Sequence, residues 1–390
     1  MADLFWDVVV VEDTEVVREQ IKDFLQRKEC AGRKLRVEAF SEFALAQSLI
    51  QSRKVDLLIL DIIEGAPSGA EPAPTPGLEI LKTIKESIFV PVIIYTAAPE
   101  SVKDCAAPFV AVIGKDEKLA VIGAKIDEFF ALRLPQVGRA VRAHLERVTC
   151  AYMWDFVQKH WDASFKTLVD KPEFVRILLQ RLARSVSREQ IAKVEAEVYG
   201  AKEEAKPGDA AADEFVHPVE MYVMPPLGEN PILGDIRVKG AGAEAEHWVV
   251  LWPSCDLVSA TGRPPKTEKV LCAKGLSLKA SLEYVAWAKD KTSSTATEKL
   301  TKLFKNNRES SKGITKERFH YLPAIADMPD LVVDFQELAH IPLEELRGMN
   351  RLATLASPFA ESMAARFSSY LLRLGTPDLD LAHVIARLSS

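Results

Sequence analysis

Five side chains in the first third of this chain have the types and placement that phosphoryl chemistry needs. Residues 55–61 read VDLLILD, a mostly apolar run of strand length that ends on a carboxylate, Asp61. Continuous apolar residues indicate a strand covered on both faces, as in a parallel sheet. Open α/β sheets place their ligands beyond the carboxyl ends of such strands, which is where Asp61 falls. Residues 7–11 read DVVVV, and two more acids follow, Glu12 and Asp13. Two strands with acidic carboxyl ends would gather these three carboxylates around one crevice. So crowded, they repel one another unless a cation lies among them. Hard oxygen ligands suit Mg²⁺, which binds a few carboxylates and keeps waters and a phosphate oxygen. Thr96 follows another apolar run, 90–95, and its hydroxyl can donate to a phosphoryl oxygen. Lys115 follows residues 109–114 (FVAVIG), and its ammonium can neutralise a second oxygen. Metal pocket, carboxylate nucleophile, hydroxyl and lysine together make a phosphoryl-transfer site.

Positioning those residues takes strands and helices in alternation. Thr14 can cap a helix whose apolar positions Val17, Ile21 and Leu25 recur at helical spacing. Residues 35–40 and 90–95 read as further strands, and helical patterns fall at 41–53 and 77–87. That alternation implies right-handed βαβ crossovers and a doubly wound sheet.

With the acid pair, the strand-terminal aspartate, the hydroxyl and the lysine in this order, residues 5–132 resemble a response-regulator receiver domain. The resemblance implies an α/β, flavodoxin-like, doubly wound parallel sheet of five strands. It implies Asp61 as phosphoacceptor, Glu12, Asp13 and Asp61 as ligands of Mg²⁺, Thr96 as the switch hydroxyl and Lys115 as the family's lysine. The implied partner is a histidine kinase or phosphotransfer protein. Three departures stand out. Residues 64–76 (EGAPSGAEPAPTP) form a long Pro/Gly/Ala-rich insertion beside the acceptor. Asp116 follows Lys115 where the family has proline, so a cis peptide is not expected. The aromatic switch position three residues before the lysine is Val112, with Phe109 nearby but out of register.

The rest of the chain divides by composition. A receiver spans 1–133, ending in a helix at 117–132, and a helical connector spans 134–200. In the connector Val141, Leu145, Val148, Tyr152 and Phe156 lie at steps of three or four, a core or dimer-packing stripe in a helix expected to reach about Trp161. A further helix or pair falls at 172–198; His144 and His160 are read as surface or packing residues. The polar, Ala-rich stretch 201–213 is the linker. An α+β output half, 214–390, follows. Short strands are expected at 219–223, 234–238, 247–251, 269–272 and 331–335. Gly234-Asp235-Ile236 and then 247–251 (HWVVL) resemble the opening of small SH3-like barrels of the MazF/PemK toxin type, although that family's nuclease arginine is not evident. Cys255 beside Asp256, with His247 and His320 elsewhere, is a nucleophile or metal candidate; a buried cysteine at a strand end is the plainer reading. The lysine-rich run 289–318, with Trp287 and Phe304, is read as a solvated insertion rather than a phosphate-binding surface. The tail is expected to be helical from Leu352 through Leu355, Phe359, Met363, Phe367, Leu371 and Leu374, with Gly375 as its stop.

The totals bound these readings. The 390 residues allow two or three domains, and 48% hydrophobic with 27% charged residues is ordinary for a folded soluble protein. A formal net charge of -6 argues against bulk nucleic-acid affinity, so nucleic acid is not expected as a partner. Five cysteines without CxxC spacing indicate neither zinc site nor disulfide framework, and the expected compartment is the cytoplasm. No apolar run approaches membrane-spanning length. No helix-turn-helix pattern closes the chain. The expected function is therefore a response regulator whose phosphorylation controls a non-DNA-binding output half through protein contacts or self-association, with a homodimer as one form. The alternatives are a phosphorylation-gated nuclease or hydrolase and a phosphate-sink adaptor; beyond receiver chemistry, no enzyme activity is expected.

Overall fold

The computed structural model describes residues 5–52, 54–62, 76–185, 188–200, 216–259, 264–306, 317–373 and 380–389. All of the expected 64–76 insertion except Pro76, which opens a helix, lies outside them, as do the linker 201–213 and the stop at Gly375. Contacts divide the chain into two compact units, Met1–Ala205 and Lys206–Ser390.

The first unit is built on β1 (Phe5–Val11), β2 (Glu29–Cys30), β3 (Arg33–Phe40), β4 (Leu57–Leu60), β5 (Val92–Thr96) and β6 (Val110–Gly114). Their order is β2-β3-β1-β4-β5-β6. All pairs are parallel except β2 with β3, a two-residue antiparallel edge that the sequence did not announce. The five parallel strands thus run second-first-third-fourth-fifth, the flavodoxin-like order, and their direction of winding reverses between β1 and β4. Helices α1 (Glu15–Gln26), α2 (Phe43–Ser52), α3 (Pro76–Ser87) and α4 (Leu119–Ala131) cover both faces. Val9, Val11, Leu58 and Leu60 pack with α2 and α3, while Val8, Val10, Leu57 and Ile59 pack with α1 and α4. Period-two side chains buried on both sides explain why these strands read as unbroken apolar runs.

Helix α5 (Leu134–Cys150) docks at the amino end of β4. There Asp56 accepts hydrogen bonds from the Asp7 amide (2.8 Å), from Arg139 Nε (3.1 Å) and Nη2, and from Arg142 Nη2 (3.2 Å). The chain continues through π-helical turns at Ala151–Val157 and Trp161–Phe165, where an uninterrupted α-helix was expected. It then forms α6 (Pro172–Arg184) and α7 (Arg188–Tyr199), and Arg133 ties the end of α7 back by donating to the Val198 carbonyl at 2.6 Å.

The second unit holds β7 (Tyr222–Val223), β8 (Asp235–Lys239), β9 (Glu246–Val250), β10 (Lys269–Ser277), β11 (Phe319–Leu322), β12 (Leu331–Pro342) and β13 (Asn350–Leu355). They form one sheet in the order β11-β12-β10-β9-β8-β13-β7, with antiparallel pairs throughout. The sheet curls: the Tyr222 hydroxyl of one edge strand donates to the carbonyl of Pro323, just past the other edge strand, at 2.8 Å. A side chain, rather than a strand ladder, joins the two edges where a small barrel was expected. Helices α8 (Ser254–Leu257), α9 (Leu282–Lys289), α10 (Ser294–Phe304), α11 (Leu343–Gly348), α12 (Phe359–Leu371) and α13 (Leu381–Leu388) complete the unit.

One sequence expectation fails here. Leu352 and Leu355, read as the start of the tail helix, lie on β13, which pairs with β8 and β7. Their three-residue step imitates a helix because a bulge between Arg351 and Ala353 breaks the strand's alternation. The helix is confined to α12, whose Met363, Phe367 and Tyr370 pack against Phe335 and Leu355.

Candidate functional site

The site lies beyond the carboxyl ends of β1, β4, β5 and β6. Asp61 immediately follows β4 and is buried, and its Oδ1 accepts from the Ile62 amide at 2.7 Å. Glu12 immediately follows β1 and is buried; Asp13 is half-buried. Ligand atoms of these three carboxylates come within 4.8 Å of one another. The winding reversal between β1 and β4 is what brings them together, because no crossover helix covers that crevice.

Lys115 follows β6 and reaches across to the acids. Its Nζ donates to Asp61 Oδ2 at 2.6 Å and to Glu12 Oε1 at 2.8 Å. Burial works against its ammonium, but the bonds to Asp61 and Glu12 outweigh that and raise its pKa. Burial likewise raises the pKa of Glu12, and the Asp61 charge adds to the effect against the opposing pull of Lys115 and the Thr14 amide. The second Glu12 oxygen, Oε2, is buried and accepts no hydrogen bond, although it too lies 2.8 Å from the ammonium. Three converging carboxylates, one with such an oxygen, form a hard-oxygen donor set that fits Mg²⁺.

Thr96, the last residue of β5, is buried, and its carbonyl accepts from the Lys115 amide at 2.9 Å. Its hydroxyl accepts from the Ala98 amide at 3.4 Å, a long bond that leaves its proton for another acceptor. The 3₁₀ turn that follows (Pro99–Cys105) is capped by Ala98 and not by this side chain.

Three contributors were not legible beforehand. Gly77, in the first turn of α3, stands against the backbone of Asp61 and Ile62. A Cβ there would come within 2.3 Å of the Asp61 carbonyl oxygen and 2.6 Å of Ile62 Cα. Arg18, one turn into α1, donates to the carbonyls of Glu12 (2.9 Å) and Asp13 (3.1 Å), bracing the loop that presents both acids. Tyr95 is buried with its hydroxyl 3.5 Å from the Lys115 carbonyl. Of these, only the position of Arg18 on the polar side of α1 left a trace in the sequence. At the switch position, Val112 packs half-buried against the core, and Phe109 is exposed and meets Phe89 edge-on at 5.3 Å. The Lys115–Asp116 peptide is trans.

In the second unit the other candidates do not assemble. Cys255 is exposed on α8, not buried at a strand end, and its thiol donates to Asp256 at 3.5 Å. His247 is half-buried on β9 and His320 buried on β11, and neither hydrogen-bonds to Cys255 among the described residues. Asp235 is instead saturated structurally, by Arg351 (2.7 Å), Thr354 (2.6 Å), Arg237 (3.2 Å) and the Ile232 amide (3.2 Å).

No protein-family model and no curated protein matches the chain. Among solved structures it is similar to the response regulator TrrA of Thermotoga maritima, in complex with Mg²⁺-BeF. That match has 23% identity and a TM-score of 0.25, over 32% of this chain and 97% of that one. The receiver domain of Erythrobacter litoralis PhyR is 21% identical over 33% of this chain and 92% of its own, with a TM-score of 0.26. Vibrio cholerae CheY4, a chemotaxis protein, is 21% identical over 32% and 98%, with a TM-score of 0.24. The second unit is not identified by them. No helix among the described residues is long and apolar enough to cross a membrane.

Proposed function

We propose that the first unit is a response-regulator receiver that accepts a phosphoryl group on Asp61, with Mg²⁺ held by Glu12, Asp13 and Asp61. The observation that best supports this is the meeting of three carboxylates and the Lys115 ammonium at the winding reversal of a flavodoxin-order sheet. An Asp61 oxygen attacks the phosphorus of the donor, a phosphohistidine of a kinase or phosphotransfer protein or a small acyl phosphate. The bond from phosphorus to the donor breaks, and the donor leaves with the electron pair. Bound Mg²⁺ would neutralise the carboxylates and the transferring oxygens. Burial excludes water from Asp61, Lys115 holds positive charge beside it, and Thr96 offers a proton to a phosphoryl oxygen.

Phosphorylation replaces the single negative charge of the Asp61 carboxylate by about −2 on the acyl phosphate, a net gain of about one negative charge. Lys115 and Thr96 are the groups placed to answer it, and their movement would bias the unit's surface between two states. The second unit is then the output, governed through protein contacts or self-association.

The test is to incubate the full chain with acetyl phosphate and Mg²⁺ and read intact mass. A hydroxylamine-labile phosphoryl adduct is expected, absent in Asp61→Asn and after chelation. A wild-type chain that stays unmodified, or an adduct that survives in Asp61→Asn, overturns the reading. Hydrogen exchange with beryllofluoride then reports the output: changes beyond residue 205 mark a regulated second unit, and changes confined to the first mark a sink.

A further inference from the structure

We propose that the α9–α10 hairpin of the second unit is a platform for single-stranded nucleic acid. This inference is independent of the receiver reading. The lysine-rich run read as a solvated insertion is, through residue 306, an ordered hairpin. Ser281 and Ser293 cap its helices, accepting from the amides of Tyr284 (3.2 Å) and Ala296 (3.3 Å). Its inner side is fixed to the sheet, with Leu300 and Leu303 buried against Leu278 and Val332.

The hairpin carries Lys289, Lys291, Lys299 and Lys305, all exposed, and none pairs with a carboxylate among the described residues. On the same hairpin Lys302 is matched with Glu298 at 2.7 Å, and elsewhere in the unit Lys239, Lys266 and Lys274 are matched with Glu345, Asp256 and Glu246 at 2.5–3.2 Å. An unmatched cluster of like charge on a rigid support repels itself and favours an anion.

Aromatic surface lies alongside. Phe304 is 38% exposed while resting on Tyr321, with ring centroids 4.5 Å apart, and Lys291 lies over the Trp287 ring at 5.3 Å. Between the start of α9 and the end of α10 opens a cavity of about 280 Å³, lined by Leu282, Leu303 and Val332 and by the polar side chains of Glu283 and of the paired Arg318 and Asp334. An apolar lining with a few polar groups suits an unstacked base. Basic groups that follow a backbone beside aromatic faces are the recurring device of single-strand binding. A membrane surface is the rival occupant: the apolar face of α10 (Ala296, Leu300, Leu303) is already buried, but α9 leaves Leu282 and Val285 exposed, so the experiment sets vesicles against oligonucleotide.

The experiment measures fluorescence anisotropy of labelled oligo(dT) and oligo(U), about 20 nucleotides long, against the full chain at several salt concentrations. Binding is expected, with log affinity falling against log salt at a slope of about −3 for four phosphate contacts. Lys289→Gln/Lys291→Gln/Lys299→Gln/Lys305→Gln should weaken binding at least tenfold at about 50 mM salt and flatten that slope, with an unchanged unfolding midpoint. Phe304→Ala should weaken single strands several-fold while leaving the salt slope intact. Absence of binding at low salt, or binding that the quadruple variant retains, overturns the proposal. So does tighter binding to anionic phospholipid vesicles than to oligonucleotide.

Discussion

Strand β4 ends in a buried aspartate at each pole, and the two have opposite surroundings. At the amino end Asp56 receives a backbone amide and two guanidinium groups, so its charge and its hydrogen-bonding capacity are both met. At the carboxyl end Asp61 shares one ammonium with Glu12 and stands among three converging carboxylates. The first arrangement is a fastener: it bolts α5 to the base of the acceptor strand. The second gathers three carboxylates beside one ammonium, the arrangement on which the proposed metal and phosphoryl chemistry rests. Asp235 in the second unit repeats the first pattern, not the second. Burial alone therefore does not mark a reactive carboxylate; the balance of charge around it does.

The sharpest way to break this contrast is Asp56→Ala, which leaves Arg139 and Arg142 without the carboxylate on which they converge. A loss of about 3–5 kcal/mol in urea unfolding is expected, unrelieved by Mg²⁺. Equal loss in Asp61→Ala would erase the distinction.

Next in size is acid sensitivity of the second unit. Burial, with the Arg366 charge, pushes the His320 pKa down to about 4 from 6.5, and its Nδ1 makes no hydrogen bond. The folded state therefore binds the proton less readily than the unfolded chain. Stability should fall as pH drops from 6.5 towards 4, by at most roughly 3 kcal/mol. His320→Phe should flatten that slope in pH-dependent unfolding.

Gly77→Ala tests the packing beneath Asp61. Because the clash is with backbone atoms, a cost of about 1–3 kcal/mol is expected together with slower acceptor phosphorylation. Normal phosphorylation in this variant would show that α3 need not approach so closely.

The smallest effect is expected of Lys115→Ala, about 1–2 kcal/mol in metal-free buffer. Unlike the loss at Asp56, it should be largely recovered on adding Mg²⁺, because the three carboxylates regain a cation. Thermal unfolding with and without Mg²⁺ checks this.

The sequence by itself determined the five parallel strands of the first sheet, though not its β2 edge, and the meeting of Glu12, Asp13, Asp61 and Lys115. Apolar runs covered on both faces admit few topologies, and residues at successive strand ends must then share one edge. It did not determine that edge's support. Gly77 matters only because α3 presses on the Asp61 carbonyl, and Arg139 meets Asp56 across 83 residues. Nor did it separate helix from strand at Leu352 and Leu355, since a bulge gave a strand the step of a helix. In the second unit short strands carry little periodicity, so long-range pairing chose the sheet order. The tertiary structure also decided that Lys302 pairs with Glu298 while Lys289, Lys291, Lys299 and Lys305 meet no carboxylate among the described residues, because ion pairing depends on which side chains the fold brings near.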